Sequence, residues 1–457
     1  MTSAPPSSER SDSEYCNLFG TDGIRGRVGQ YPVTPETCLQ IAWLVGQFIK
    51  EQGGRRVLIG KDTRISGYLL ESVLEAGFIS AGIDVGLLGV MPTPGVAFLT
   101  RSMDADLGVA ISASHNPYQD NGFKFFDHEG LKLSDSTEAQ IERMMGRELE
   151  TVDASELGKA SRPRTARDEY ISFCIESVRG RLDINGVQIV LDCAHGAMYS
   201  IAPEVFGELG AKVETIGTEP DGLNINHNCG STHAERLRKE VVSRGAALGI
   251  AFDGDGDRVV LVDETGELLD GDHILYCLAK ARQLAKSDFG GVVGTVMTNL
   301  GLEIALDELG IPFYRADVGD RNVHNKMSEL GWRLGGENSG HIVCQQETTT
   351  GDGIVSALQV LLACQKNGWS LRDIVHDLKL FPQKLVNVSV VDSLKAAACS
   401  AVNRALALLA PSHPDRHRIV VRPTGTESVA RAQVEGENPG SVDRIAQHCA
   451  RAISSVV

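Results

Sequence analysis

The chain has no uncharged run of about 18 or more residues, so nothing in it reads as a membrane-crossing helix. Its ten cysteines fall singly, with no C-x-x-C pair. That weighs against a zinc site or a disulfide framework and fits a reducing, cytoplasmic setting. It lacks a Walker A loop, a G-x-S-x-G elbow and a G-x-G-x-x-G fingerprint, so nucleotide binding has no support. It also lacks a basic excess. Lys+Arg number 44 against 60 Asp+Glu, for a net charge of −16. Bulk electrostatics therefore argue against nucleic acid or an anionic membrane as partner, and an anionic substrate would need a local basic pocket. The polar start, MTSAPPSSERSDSE, has no apolar core; residues 1–14 read as a disordered tail, not a signal peptide.

What is plentiful is glycine, 49 of 457 residues, which suggests many tight turns. Hydrophobic residues at 42% and charged residues at 23% are ordinary for globular protein. The length suggests roughly three domains. Apolar runs alternate with helical periodicity: helix 37–52, strand 57–59, helix 68–81 and strand 107–111, then helix 168–178, strand 188–192, helix 202–209 and strand 247–252. A third such unit runs from about 267 to 381. From Pro382 the pattern changes to a small α+β lobe. The divisions read from the sequence are thus 15–165, 166–266, 267–381 and 382–457.

Four loops carry chemistry. The first, Ile111–Phe126, leaves the apolar run Leu107–Ile111 for Ser114-His115-Asn116-Pro117, with Asn121-Gly122 as turn formers and Lys124 beyond. This places Ser114 on a tight, exposed loop. A nucleophilic serine and an ordinary polar strand-to-helix loop both fit these residues. Upstream, Phe19–Gly26 reads as a glycine-laced loop whose backbone donors and Arg25 suit an anion.

The second loop, Asp253-Gly254-Asp255-Gly256-Asp257-Arg258, is the most specific. Three carboxylates at alternate positions converge once glycines clear the space between them. At an effective dielectric near 20, each like-charged pair ~4 Å apart costs about 4 kcal/mol, so convergence calls for a cation. Few ligands, all oxygen, point to Mg²⁺ completed by water and a phosphate. Glu264 stands twelfth from Asp253, as in an EF-hand, but Arg258 occupies the sixth position where that loop needs glycine, and both flanks read as strands.

The third loop, Gly335–His341, offers Glu337, Ser339 and His341, which suit hydrogen bonds to neighbouring sugar hydroxyls. The fourth, Arg422-Pro423-Thr424-Gly425-Thr426, with Arg431 beyond, offers hydroxyls, backbone donors and two guanidiniums; it reads as a phosphate cradle, with an ordinary hairpin as the alternative.

In order and spacing, Ile111–Pro117, Asp253–Arg258, Gly336–His341 and Arg422–Glu427 resemble the four signatures of the α-D-phosphohexomutase superfamily. The resemblance covers nearly the whole chain after the tail. Gly20–Gly26, Pro220–Gly230, Val318–Arg321 and Thr348–Gly353 resemble its glucosamine branch.

The resemblance implies three consecutive α/β domains with mixed sheets around a central cleft, plus a smaller C-terminal α+β domain. It implies Ser114 as phosphoserine nucleophile and fourth ligand to one Mg²⁺ held by Asp253, Asp255 and Asp257. Glu337 and Ser339 would hold sugar hydroxyls, and Arg422, Thr424, Gly425, Thr426 and Arg431 the non-reacting phosphate. Arg25, His115, Lys124, Arg258 and His341 would stabilise charge or carry protons. The implied reaction interconverts glucosamine 6-phosphate and glucosamine 1-phosphate through a 1,6-bisphosphate, feeding UDP-N-acetylglucosamine and cell-wall precursor synthesis. The alternative is a mannose- or glucose-phosphate mutase. Expected partners are the hexosamine phosphate and its bisphosphate, with no nucleic acid or membrane and a homodimer left open. The chain departs from the superfamily pattern at Thr424, where serine is usual, and at Ser428-Val429-Ala430, where Pro-Leu-Ile is common.

Overall fold

Four β-sheets succeed one another along the chain. The structure, a computed structural model, describes residues 18–20, 23–389, 417–423 and 429–454; the expected tail at 1–14 lies outside them. The first sheet holds β1 (Ile24–Arg27), β2 (Arg56–Lys61), β3 (Asp84–Val90), β4 (Leu107–Ile111), β5 (Asp120–Asp127) and β6 (Ala160–Ser161), ordered β1-β5-β4-β2-β3-β6. The second holds β7 (Gln188–Asp192), β8 (Lys212–Ile216), β9 (Leu248–Phe252), β10 (Val259–Asp263) and β11 (Leu268–Leu269), ordered β11-β10-β9-β7-β8. The third holds β12 (Val292–Thr295), β13 (Phe313–Ala316), β14 (Leu334–Gly336) and β15 (Ile342–Cys344), ordered β13-β12-β14-β15. The last is antiparallel, with β16 (Gln383–Ser389), β17 (His417–Pro423) and β18 (Val429–Gly436) ordered β16-β18-β17.

The first three sheets are mixed in the same way. Parallel strands joined by helical crossovers give way on one side to an antiparallel hairpin, β4–β5, β9–β10 or β14–β15, which β1 extends in the first sheet and β11 in the second. The turns of these hairpins are the serine, carboxylate and Glu337–His341 loops. The fourth loop, at 424–428, lies between paired strands β17 and β18. One device, repeated on the first three sheets, therefore presents three of the four segments.

Two elements depart from the sequence reading. Asn121-Gly122 is not a turn but part of β5, near its start, and Arg25 sits on edge strand β1, not on a loop; Arg25 faces Gly122 across the ladder. Gly122 is there because a side chain would strike the Ile24 carbonyl. Asn121 is held by its amide donating to Ser66 Oγ at 2.8 Å. Turn propensity lost to pairing on both flanks.

The helices follow their caps. Pro35–Glu51 starts at Thr34, whose hydroxyl accepts from Thr37 N–H, with proline at the first position; it buries Cys38, Ile41, Leu44, Val45 and Ile49. Gly353–Asn367 is capped by Asp352 and closed by Gly368 in the left-handed conformation; Gly353 through Cys364 are all buried. That helix is apolar all round because it lies inside one continuous core, which runs from Leu191 and Phe252 of the second unit to Leu334 and Leu358 of the third.

Phe252 is fully buried in this core and immediately precedes Asp253. Phe252→Ala is expected to cost about 3–5 kcal/mol. A lowered urea midpoint at an unchanged m-value checks it.

Candidate active site

Ser114 is fully buried, not exposed as the loop reading expected. Its loop is covered by the carboxylate loop of the second unit, so closely that a side chain at Gly254 would stand 2.6 Å from the Ser114 carbonyl oxygen. Composition alone said polar loop; burial came from docking between two units. Ser114 also takes φ +51°, a left-handed conformation that costs a serine roughly 1–2 kcal/mol.

Ser114 Oγ donates to Asp253 Oδ2 at 2.6 Å. Oxygens of Asp253, Asp255 and Asp257 all lie within 4.8 Å of one another. Lys124 Nζ donates to Asp255 at 2.7 Å and to Asp257 at 2.6 Å. Thr93 Oγ1 donates to Asp255 Oδ2 at 2.6 Å. One ammonium does not neutralise three carboxylates, and the pKa shifts divide accordingly. Burial, and then the charges of Asp257 and Asp255, push Asp253 well above the usual carboxylate range. Burial also works against ionisation of Asp257, but Lys124, His341 and Arg258 outweigh it and hold that group well below the range. Asp255 is likewise lowered, with Lys124 and Thr93 overcoming burial and the neighbouring charge.

Oδ1 of Asp255 and Oδ1 of Asp257 are buried without a hydrogen-bond partner. Unsatisfied carboxylate oxygens in a buried all-oxygen cluster fit a hard divalent cation.

His115 Nδ1 lies 3.5 Å from Ser114 Oγ and accepts from Arg258 Nη1 at 2.9 Å. Burial, Arg258 and Arg25 depress its pKa to about 4, so its imidazole is neutral at pH 7. His341 is buried as well. Its Nδ1 is 3.7 Å from Asp257 and its Nε2 is 3.7 Å from Asp320. Burial opposes protonation of His341, yet Asp257, Asp320 and Glu337 raise its pKa. The imidazole expected at sugar hydroxyls thus stands between two carboxylates.

Glu337 and Ser339 do sit together. Glu337 Oε1 accepts from Gly319 N–H at 3.1 Å and Oε2 from Ser339 Oγ at 3.3 Å. An earlier helix of the same unit, Gly271–Leu284, begins against this loop, where Gly271 N–H donates to the Asn338 carbonyl at 3.1 Å. Behind His341, Asp320 pairs with Lys132 at 2.5 Å, while Arg321 pairs with Asp135 at 2.7 Å and with Glu138. These contacts fasten the third unit to the first.

The four loops are not equally visible. Ser114, His115, Lys124, Asp253, Asp255, Asp257, Arg258 and His341 come together. Arg422 and Arg431 face each other in the β17–β18 ladder. Thr424, Gly425 and Thr426 lie outside the described residues. Sequence reasoning gave no role to Asp62, Arg64, Thr93, Lys132 or Asn226.

Comparison with known proteins agrees with this geometry. The phosphoglucomutase/phosphomannomutase family matches in three consecutive pieces: its alpha/beta/alpha domain I over residues 16–151, domain II over 168–266 and domain III over 270–381. A phosphoglucosamine mutase of Ectopseudomonas mendocina is 52% identical over 96% of this chain and 98% of its own. One from Hahella chejuensis is 52% identical over 96% and 99%. A phosphoglucomutase/phosphomannomutase family protein of Burkholderia thailandensis shares the fold, with a TM-score of 0.81 at 22% identity over 98% of both chains. So does the Aspergillus fumigatus N-acetylphosphoglucosamine mutase solved with GlcNAc-6P and magnesium, with a TM-score of 0.67 at 18% identity over 98% and 97%. The chain belongs to the phosphoglucomutase/phosphomannomutase family, and its relatives at half identity are phosphoglucosamine mutases.

Proposed function

We propose that the chain interconverts glucosamine 6-phosphate and glucosamine 1-phosphate through a phosphoserine at Ser114 and a 1,6-bisphosphate. The observation that carries this reading is the hydroxyl of Ser114 against Asp253, inside a cluster of three buried aspartates. A serine held there has a place for a dianion only if positive charge gathers around it. Lys124, Arg25, Arg258 and His341 supply part of that charge.

Asp253, Asp255 and Asp257, with phosphorylated Ser114, would hold one Mg²⁺. When bound, the ion neutralises phosphoryl oxygens and spreads the charge of the transferring group. In the first transfer the P–Oγ bond of phosphoserine breaks as a bond forms to O1 of glucosamine 6-phosphate, and the O1 proton leaves to a neighbouring base. The bisphosphate then turns over within the cleft. Its O6 phosphoryl returns to Ser114 and O6 takes up a proton. Glu337 and Ser339 grip sugar hydroxyls in either orientation. Arg422, Thr424, Gly425, Thr426 and Arg431 hold whichever phosphate is not reacting. The buried serine keeps water from the phosphoserine.

The product would feed UDP-N-acetylglucosamine and cell-wall precursor synthesis in the cytoplasm. That setting suits the eight described cysteines, all free and buried. No described helix is long and apolar enough to cross a membrane. The four units inferred from the sequence, 15–165, 166–266, 267–381 and 382–457, then each contribute one loop.

The test is substrate preference. With glucose 1,6-bisphosphate to prime the enzyme, kcat/KM on glucosamine 6-phosphate is expected to exceed that on mannose 6-phosphate or glucose 6-phosphate at least about tenfold, or about 1.4 kcal/mol. Equal or reversed preference would move the chain to the mannose- and glucose-phosphate branch.

A further inference from the structure

Arg64 has the most densely bonded side chain in the neighbourhood of Ser114, yet it touches none of the reacting groups. It is 1% exposed. Its Nη2 donates to the carbonyl oxygen of Ser114 at 2.9 Å and to that of Asn116 at 2.8 Å. Its Nη1 donates to the carbonyls of Pro117 and Asp120. Its Nε donates to Asp62 Oδ2 at 2.8 Å. The carbonyls belong to the turn between β4 and β5 and to the first residue of β5.

The opposite end of the Ser114 residue is held through the same ion pair. Asp62 Oδ2 accepts from Ser112 Oγ at 2.7 Å, and Ser112 Oγ accepts from Ser114 N–H at 2.9 Å. From the second unit, Asn226 Nδ2 donates to the carbonyls of Ser114 at 2.8 Å and Asn116 at 3.1 Å. Asn226 itself takes φ +58°. Both sides of the one residue whose φ is +51° are therefore pinned by a planar guanidinium, a carboxylate acting through a hydroxyl, and an amide.

We propose that Arg64, fixed by Asp62 and assisted by Asn226, is a positioning residue. It holds Ser114 in its left-handed backbone conformation so that Oγ meets the aspartate cluster. The inference rests on the reading of Ser114 as the nucleophile. Only a planar fork with donors on three nitrogens reaches four carbonyls and a carboxylate together. An ammonium balances the charge of Asp62 but cannot span the turn. Without the grip, Ser114 relaxes toward negative φ and Oγ swings away from Asp253, while the groups that would bind sugar and distal phosphate stay where they are.

The test compares Arg64→Lys and Asn226→Ala with the parent and with Ser114→Ala, all as full chains with Mg²⁺. Arg64→Lys is expected to lower kcat about 100-fold, the scale of a misplacement near 1 Å. Asn226→Ala is expected to lower it about tenfold, and in both KM stays within about twofold. A residue that only compensates buried charge would be replaced by lysine with kcat intact. If Arg64→Lys and Asn226→Ala both keep kcat within about twofold of the parent, the positioning role is wrong. Should Arg64→Lys melt below the assay temperature, Asn226→Ala decides by the same criterion. Ser114→Ala separates the two ideas. If it retains turnover, the nucleophile reading fails. If it is dead while both other variants turn over normally, only the positioning role falls.

Discussion

Ser114→Ala is expected to abolish mutase turnover, by at least about 10⁴-fold, while the protein folds and binds hexosamine phosphate as before. The size follows from what is lost. The side chain is not one donor among several; in the proposed reaction its oxygen is the atom on which the phosphoryl group rests between the two transfers. No other hydroxyl of the described residues donates to Asp253. Folding should survive because the turn is held through its backbone carbonyls, which the substitution leaves in place. Two measurements check it: steady-state turnover, and the intact mass of protein incubated with glucose 1,6-bisphosphate. The parent should gain the mass of one phosphoryl group and the variant none. Appreciable residual turnover would take Ser114 out of its role.

Asp257→Asn should be nearly as severe, lowering kcat about 10³-fold, which is about 4 kcal/mol of transition-state stabilisation. Asp257 meets more of the site's basic side chains than its neighbours do: Lys124 at 2.6 Å, Arg258 at 4.0 Å and His341 at 3.7 Å. Replacing one Oδ by an amide removes an oxygen proposed to hold the cation and turns an N–H donor toward groups that themselves donate. Mg²⁺ affinity by calorimetry should fall in parallel with kcat. The variant should not lose stability in chelator, because fewer mutually repelling carboxylates remain. Activity that survives the substitution with Mg²⁺ affinity unchanged would mean the cation sits elsewhere.

The contrast between these two residues shows what one dimension can reveal. The three aspartates were legible because they lie within five residues, with glycines between them, and the runs Leu248–Phe252 and Val259–Val262 on either side are apolar. A single hairpin turn carries the whole constellation. Ser114 was legible as chemistry but not as environment. Its burial depends on a loop 139 residues away, and no local pattern encodes that. Arg64 and Asn226 had no legible role because their acceptors are backbone carbonyls, which every residue possesses. The identity of Asn116 or Pro117 says nothing about a guanidinium aimed at its oxygen. Asn121-Gly122 misled for the opposite reason. Local preference pointed to a turn, and pairing with β1 on one side and β4 on the other overrode it. The loop composition grouped His341 with Glu337 and Ser339 at sugar hydroxyls, while the family resemblance placed it among charge stabilisers or proton carriers; its ring stands near Asp257 and Asp320.

The repeated hairpin has a bearing on biogenesis. During synthesis the serine turn emerges well before the aspartate turn, and the turn bearing Glu337 follows later still. Arg64 and the carbonyls it grips all precede residue 121, so the nascent first unit can set its own turn. The acids that surround the hydroxyl arrive only when the second unit folds and docks. A truncated or half-translated chain therefore carries a shaped but inert serine. The hydroxyl and the acids that face it therefore meet only in a chain long enough to have folded both units.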